Sequence, residues 1–126
     1  MTAEIKYLND KHEVVYIAGG FTPNEACDST MWLTAIAQQV ALRYLSHGYC
    51  VISPHQNFGW LKMEDKAPDY YQILQMCYRL IERSDLFVLC PLWEYSQGST
   101  LERTHAEKLG IGIVEFNWLD LFPPIP

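Results

Sequence analysis

The stretch LFVLCPLWEYSQGSTLERTHAEKLG, residues 86–110, predicts how the chain is organised. Its first five residues, 86–90, form an apolar run that is typical of a buried β-strand. Residues 103–109 have a helical composition, and Gly110 follows them as a stop signal. The hydroxyl-rich segment 96–102 therefore joins the end of a strand to the start of a helix. Ligands of α/β sheets bind at such junctions, where helix N-termini offer free N–H groups to anions.

Three further apolar runs continue this alternation of strand and helix. Residues 14–18, 49–53 and 111–116 predict strands, and amphipathic segments lie between them. Apolar runs of this kind are usually covered on both faces, as in a parallel sheet. The order β-α-β-loop-α-β-α-β predicts a doubly wound α/β sandwich, Rossmann-like or flavodoxin-like, with a mostly parallel sheet of four to five strands. A chain of 126 residues fits one domain, residues 1–126.

Capping residues mark the helix starts. We expect the first helix to begin between residues 24 and 28, with Asn24, Asp28 or Ser29 as its cap, and the second to open at Asp69. Apolar residues recur every three or four positions and predict the faces that pack on the sheet. These faces contain Trp32, Leu33, Ile36, Ala37, Val40, Ala41, Tyr44 and Leu45 in the first helix, and Tyr70, Tyr71, Leu74, Cys77, Leu80 and Ile81 in the second.

Charge and hydropathy limit the classes of partner. The formal net charge of −6 argues against a nucleic acid polymer or an anionic membrane surface as the main partner. It leaves a mononucleotide open, because one helix terminus binds one phosphate whatever the total charge. No apolar run reaches the length of a membrane span, and residues 1–9 do not read as a signal peptide. We therefore expect a cytoplasmic protein.

The cysteines and histidines do not follow the spacing of a metal site. The four cysteines include no CxxC pair, and we expect them to be reduced, with Cys50 and Cys90 in buried strands and Cys77 on a helix face. The four histidines have no ligand-like spacing to one another or to the cysteines. We predict neither a metal nor a cofactor.

Glu102 is the best candidate for a reactive carboxylate, and its spacing allows two interpretations. We place it in the first turn of a helix, where the helix dipole would hold it ionised, as suits a nucleophile. Ser99 and Glu102 also fit the capping box S-x-x-E. Local spacing alone favours the capping box.

Two other strand ends carry candidate ligand contacts. Gly19, Gly20 and Phe21 follow the first strand, and such a glycine pair permits a ligand to approach the backbone or forms a plain tight turn. His55 follows the second strand and either faces the ligand or is an ordinary loop residue. The long polar segment 56–68 reads either as a lid over the ligand or as a variable surface loop.

Three segments together resemble the nucleoside 2-deoxyribosyltransferase-like family, close to its 2′-deoxynucleoside 5′-phosphate N-hydrolases and its short phage-type relatives. The first is Val15-Tyr16-Ile17-Ala18-Gly19, in which a tyrosine precedes a glycine by three positions. The second is Arg83-Ser84-Asp85 before an apolar strand. The third is Ser96-x-Gly98-x-x-x-Glu102, followed by Ala106 and Gly110. The resemblance covers residues 14–116.

The resemblance implies a role for each matching residue. Glu102 matches the glutamate that attacks the anomeric carbon of the deoxyribose and displaces the base. Tyr16 matches the tyrosine that contacts this nucleophile and the sugar. Ser96 matches a phosphate-binding serine where the transferases carry aspartate, so the family likeness favours a 5′-monophosphate, with Gly98 and Ser99 in the phosphate loop. It also implies a homodimer or a higher homo-oligomer, and the apolar tail at residues 118–122 is compatible with that.

The sequence departs from the family where an acid is expected to assist departure of the base. That position holds Cys77, and Asp69 lies eight residues before it. Either Asp69 replaces the acid through a shifted helix start, or no acid is present. Arg103-Thr104 is a second departure, because many relatives have a small or apolar pair there. Three readings therefore remain: cleavage or exchange of the N-glycosidic bond, nucleotide binding without turnover, and a small oligomeric domain in which Ser99 and Glu102 form only a capping box.

Overall fold

Four parallel strands form one sheet in the computed structural model, which describes residues 13–20, 27, 29–58 and 69–121. They are β1 (Val14–Ala18), β2 (Cys50–Ile52), β3 (Leu86–Leu89) and β4 (Gly112–Glu115). The predicted α/β architecture is confirmed. β1 has its predicted bounds, and the other three strands are shorter at their ends than predicted.

Five helices lie in the described parts of the chain. They are α1 (Thr30–Ser46), α2 (Pro54–Phe58), α3 (Tyr70–Glu82), α4 (Gln97–Leu109) and α5 (Trp118–Leu121), and a 3₁₀ turn (Trp93–Tyr95) precedes α4. The sequence did not predict α2, which occupies the start of the expected long loop. Residues 59–68, the rest of that loop, lie outside the described residues, as do residues 1–12 and 122–126.

Both faces of the two central strands, β1 and β3, are buried, as their unbroken apolar runs predict. The edge strands β2 and β4 are partly exposed, because each has a neighbour on one side only. Val15 and Ile17 of β1 pack with Val88 of β3 against α1, whereas Tyr16 and Ala18 face the opposite side. On that opposite side Tyr16 and Ala18 pack with Cys77 of α3 and Ala106 of α4. Alternation along β1 therefore directs the Tyr16 side chain towards α3 and α4.

The strand order β2-β1-β3-β4 fixes where a ligand can enter. From β1 the chain crosses to β2 at one edge of the sheet, and from β3 it crosses to β4 at the other edge. The two connections therefore leave in opposite directions from the neighbouring strands β1 and β3. Open α/β sheets bind their ligands outside the carboxyl ends of the strands at this switch point. The segments that follow β1 and β3 there are residues 19–20 and 90–96.

Local signals set the helix ends. Ser29 caps α1 by accepting a hydrogen bond from the Trp32 N–H at 3.2 Å, so α1 begins after the predicted range but at one of the predicted caps. Asp69 caps α3 through a capping box with Gln72. Gly110 ends α4 at a φ of 74°, in the left-handed region that glycine enters without a Cβ penalty.

Several side chains predicted to be buried are exposed. Trp32 is 67% exposed and Leu45 53%, because the residues of α1 that face the sheet are Leu33, Ile36, Ala37, Val40 and Ala41. Tyr70 and Tyr71 are exposed in the first turn of α3. Cys50 is exposed because β2 is the edge strand next to β1. Within the described residues, no helix is both long enough and apolar enough to cross a membrane.

Candidate functional site

Glu102 lies on α4 with its carboxylate turned into the protein. The side chain is 7% exposed, and its Oε2 accepts a hydrogen bond from the Tyr16 hydroxyl of β1. Because α4 begins at Gln97, Glu102 lies in the second turn and not in the predicted first turn. The capping interpretation of Ser99 and Glu102 is wrong as well, because Ser96 is the cap.

Burial raises the pKa of Glu102 to about 7, against the expectation that the helix dipole holds it ionised. The cause is loss of water around the charged form, which the hydrogen bonds from Tyr16 and Cys77 offset only in part. The dipole argument fails because its effect is confined to the first turn of a helix. The carboxylate therefore exchanges a proton near neutral pH.

Tyr16 is a permanent hydrogen-bond donor to that carboxylate. Its ring is fully buried and stacks on Phe87 of β3, with ring centroids 5.7 Å apart. Burial, followed by the charge of Glu102, raises the pKa of the phenol well above its ordinary value. The hydroxyl thus stays protonated and fixes one side of Glu102.

Cys77 is the third member of this cluster. The α3 helix buries its side chain, which is 4% exposed, in the same cluster as Tyr16. Burial, followed by the charge of Glu102, raises the pKa of the thiol to about 12, so it carries its proton throughout the physiological range. The sequence predicts Cys77 on the buried face of this helix and at the position where the family likeness expects an acid, but it does not predict the packing of Cys77 with Tyr16.

The segment before Glu102 forms a compact helix start. Ser96 Oγ accepts a hydrogen bond from the Ser99 N–H at 3.1 Å. The Ser99 side chain is 1% exposed, and its Oγ has no hydrogen-bond partner among the described residues. A buried hydroxyl without a partner is uncommon in folded proteins. The first turn of α4 therefore presents backbone N–H groups beside an unused hydroxyl.

Tyr70 covers this helix start and was missed as a site residue. A Cβ placed on Gly98 would lie 2.7 Å from the Tyr70 hydroxyl oxygen and 3.9 Å from Ser96 Oγ. Only glycine leaves room for that approach. Burial and then the charge of Glu102 raise the pKa of Tyr70, and the same two causes raise that of Tyr78. The capping signal at Asp69 gave the start of α3 but not its packing on α4.

The Gly19–Gly20 loop packs on the same helix start. A Cβ on Gly20 would lie 3.6 Å from Cβ of Ser96, and one on Gly19 would lie 3.1 Å from both Cβ and Sγ of Cys90. His55 of α2 is 7% exposed, and its Nε2 donates to the Gly20 carbonyl at 2.7 Å. Burial lowers the pKa of His55, so the ring is mostly neutral at pH 7. His55 thus holds the loop through this nitrogen.

Of the remaining predicted site residues, Asp69 caps a helix and Phe21 is not among the described residues. Asp69 is exposed at the start of α3, and its Oδ1 accepts from the Gln72 N–H at 2.8 Å. Its catalytic role stays a prediction. Phe21 lies outside the described residues. In the described part of the chain, no three or more His, Cys, Asp or Glu side chains are grouped so that they could hold a metal ion.

Comparisons with known proteins agree with this architecture. A family model described as "Domain of unknown function (DUF4406)" matches residues 13–115. Among solved structures, the chain is similar to a 2-desoxiribosyltransferase from Leishmania mexicana, with a TM-score of 0.54 and 19% sequence identity over 82% of this chain. The match spans 63% of that enzyme's chain. At this identity the likeness establishes the fold. A search of curated proteins found no match.

Proposed function

The chain belongs to the DUF4406 family, and from that premise we propose that it cleaves or exchanges the N-glycosidic bond of a 2′-deoxynucleoside 5′-monophosphate, with Glu102 as the nucleophile. The observation that carries the proposal is the buried Glu102 carboxylate, held by the Tyr16 hydroxyl at the switch point of the sheet. A fold shared with a deoxyribosyltransferase supports it.

The proposed reaction has two displacements at C1′ of the sugar. An ionised Glu102 oxygen attacks C1′, the bond from C1′ to the base nitrogen breaks, and the base leaves with that electron pair and takes up a proton. Water or a second base then attacks C1′ and releases the carboxylate. Tyr16 keeps the attacking carboxylate oriented in the first step and receives it again in the second.

The start of α4 supports a phosphate-bearing substrate. The Gly98 N–H, the Ser96 hydroxyl and the unpartnered Ser99 hydroxyl offer donors to an anion next to Glu102, whereas the N–H groups of Ser99 and Thr100 already bond to Ser96. The hydroxyl of Tyr70 lies over the same turn. We assign the 5′-phosphate to this turn, with the Gly19–Gly20 loop along its edge.

Departure of the base needs a proton, and we assign its delivery to Asp69. The variant Asp69→Asn tests this assignment because asparagine caps a helix as well as aspartate does but cannot deliver a proton. We expect slower base release at an unchanged melting temperature. Equal rates for the variant and the wild type would remove Asp69 from the mechanism.

The alternative function is nucleotide binding without turnover. It is favoured by Cys77, because a thiol with a pKa of about 12 is a poor proton donor to a leaving base. This alternative gives a thermal shift with deoxynucleotides and no free base. A turnover that is abolished by Glu102→Gln would exclude it.

We also propose that the protein acts as a homodimer or higher homo-oligomer in the cytoplasm. Met31, Trp32 and Leu119 are large apolar side chains with exposed fractions of 81%, 67% and 73%, and an oligomer would cover such residues. Cys27, Cys50, Cys77 and Cys90 form no disulfide with one another, which suits a reducing compartment. Sedimentation at micromolar concentration that shows only monomer would contradict the oligomer.

Chromatography of the free base tests the reaction itself. Each common 2′-deoxynucleoside 5′-monophosphate is incubated with the wild type, Glu102→Gln and Glu107→Gln. Glu107 is an exposed glutamate on the same helix that pairs with Arg103, and it controls for loss of charge. We expect base release by the wild type and Glu107→Gln, and at least about a thousandfold less by Glu102→Gln. No base release from any substrate would contradict the proposal.

A further inference from the structure

An open cleft of about 390 Å³ lies between the segment that follows β3 and the segment at the end of β4. Residues 91–94 line one side of the cleft, and residues 115–118 line the other. This lining shares no residue with the Glu102 site. Small-molecule sites usually have volumes of about 300–1,000 Å³, so the cleft is large enough for a ligand of its own.

Leu92 shapes one wall of the cleft through a strained backbone conformation. Its φ is 72°, and no other non-glycine residue in the described ranges has a positive φ. The Trp93 N–H donates to the Cys90 carbonyl at 3.1 Å and closes a turn in which Leu92 stands where glycine is usual. Leu92 and Phe116 pack against the same buried cluster on the α1 face. Backbone strain that packing maintains in this way is common at ligand sites.

Aromatic side chains contribute much of the apolar lining. Trp93, Phe116 and Trp118 all belong to it. Trp93 also carries a guanidinium of this chain, because Cζ of Arg103 lies 5.1 Å from the centroid of its ring. That distance is within cation–π range, and tryptophan is the strongest aromatic partner for a cation. Arg103 is one of the two departures from the family pattern, and its contact shows that Trp93 accepts a guanidinium.

The charged side chains of the lining, Glu94 and Glu115, are both acidic. Glu115 Oε1 accepts a hydrogen bond from the Trp93 indole N–H at 2.9 Å, which fixes this carboxylate beside the ring. Among the described residues, neither glutamate forms an ion pair with Arg, Lys or His, and no basic side chain lines the cleft. The cleft therefore attracts cations and repels anions such as phosphate.

We propose that this cleft binds a guanidinium group, which stacks on the aromatic rings and donates N–H hydrogen bonds to Glu94 and Glu115. A guanidinium is planar, stays charged at physiological pH and presents paired donors that match a carboxylate. An alkylammonium matches only the charge, because it is compact, strongly hydrated and unable to stack. The source of the group is either a free guanidino compound or an arginine side chain of another protein. The proposal does not depend on the proposed function at Glu102.

The test follows the tryptophan indole N–H signals of the nitrogen-15-labelled full chain by NMR, assigned with Trp93→Phe, Trp118→Phe and Trp32→Phe. The ligands are agmatine, a capped tripeptide with one central arginine, and putrescine, which has the same charge as agmatine but no guanidinium. We expect agmatine to shift the Trp93 and Trp118 signals saturably and putrescine to bind at least about tenfold more weakly. Trp32, on α1, should not respond. Tighter binding of the tripeptide than of agmatine would identify a protein side chain as the source, and weaker binding a free compound.

Charge variants locate the bound group. Glu94→Gln and Glu115→Gln each remove one carboxylate of the cleft, and glutamine at 115 still accepts from Trp93. Glu82→Gln is the matched control, because it removes an exposed charge from α3 outside the cleft. Agmatine affinity should fall at least about fivefold in the two cleft variants and stay within about twofold in the control. Absence of saturable tryptophan shifts with both guanidinium ligands, equal binding of putrescine, or an equal loss of affinity in Glu82→Gln would overturn the proposal.

Discussion

The Glu102 carboxylate is deeply buried, although the proposed reaction requires it to be negatively charged. Its carboxylate is 7% exposed, and burial raises its pKa to about 7 from an ordinary 4.5. Between these two pH values the folded protein binds a proton that the unfolded chain has released. The free energy of unfolding therefore falls as the pH rises through this window. The site is held ready for reaction at a cost in stability.

A first prediction concerns Glu102→Gln, which removes that titration but keeps an acceptor for Tyr16. The free energy of unfolding of the variant relative to the wild type should increase by about 3 kcal/mol between pH 4.5 and pH 8. Urea denaturation at several pH values measures both proteins, and all other titrating groups cancel in the difference. A difference that does not change with pH would show that Glu102 titrates normally.

A second prediction concerns Tyr16, whose hydroxyl donates to the Glu102 carboxylate. Tyr16→Phe removes a hydrogen bond that lowers the Glu102 pKa, so the acid limb of kcat/KM should move to higher pH. Tyr49→Phe is the matched control, because Tyr49 packs on the opposite, α1 face of the sheet. Identical profiles for Tyr16→Phe and the wild type would remove Tyr16 from the site.

Among the elements, α4 shows how far local sequence patterns reach. Its end at Gly110 follows from one residue and is predicted correctly. The predicted start of α4 was wrong because Ser99-x-x-Glu102 matches the capping-box pattern. The observed cap is Ser96, whose Oγ accepts a hydrogen bond from the Ser99 N–H. Only the packing of α4 on β1 reveals that Glu102 is directed at Tyr16. The spacing of residues along one helix does not show which residue of another element a side chain contacts.

A third prediction separates the two roles of Ser96. Ser96→Asp keeps a good helix cap but places a negative charge where the phosphate is proposed to bind. The ratio of kcat/KM for a deoxynucleoside 5′-monophosphate to that for the free deoxynucleoside should fall at least about tenfold. Ser96→Asn is the neutral control with the same capping ability. Equal ratios for the two variants would place the phosphate elsewhere.

A fourth prediction concerns Gly98, over which the Tyr70 hydroxyl lies. In Gly98→Ala the new Cβ, 2.7 Å from that oxygen, forces the exposed phenol aside. Alanine favours the helix by up to about 1 kcal/mol, so stability should hold or rise slightly. Nucleotide affinity, measured by calorimetry, should fall. Unchanged affinity would show that Tyr70 and this turn do not contact the ligand.

At the scale of the whole molecule, the order of strands and helices could be predicted, because it depends on which types of residue follow one another along the chain. Runs such as residues 14–18 are apolar throughout, and burial on both faces of the sheet follows. Exposure was harder to predict. Trp32 and Cys50 lie in correctly predicted elements but face away from the core or lie on the edge strand. The exposure of these two side chains depends on which other residues pack around them in the folded chain.

The candidate site likewise has one part that could be predicted from the sequence and another part that depends on packing. The sequence predicts Tyr16, Ser96 and Glu102 as site residues, and the fold brings Tyr16 into contact with Glu102 and Ser96 to the start of the helix that carries Glu102. The approach of Tyr70 to Gly98 and the burial of Cys77 in one cluster with Ala106 were not predicted, because both arise only when α3 packs against α4. The raised pKa of Glu102 was not predicted for the same reason, since it reflects burial of the carboxylate in the folded chain.

The most direct test of Glu102 as nucleophile is the mass of the intact protein during turnover. A 2′-fluoro-substituted deoxynucleotide slows both displacements, because the fluorine destabilises the positive charge that develops on the sugar. Rapid quenching and mass spectrometry should then find protein heavier by one sugar 5-phosphate group, attached to the peptide that contains Glu102 and absent in Glu102→Gln. Base release from the wild type without any such adduct, or an adduct on another residue, would contradict the account.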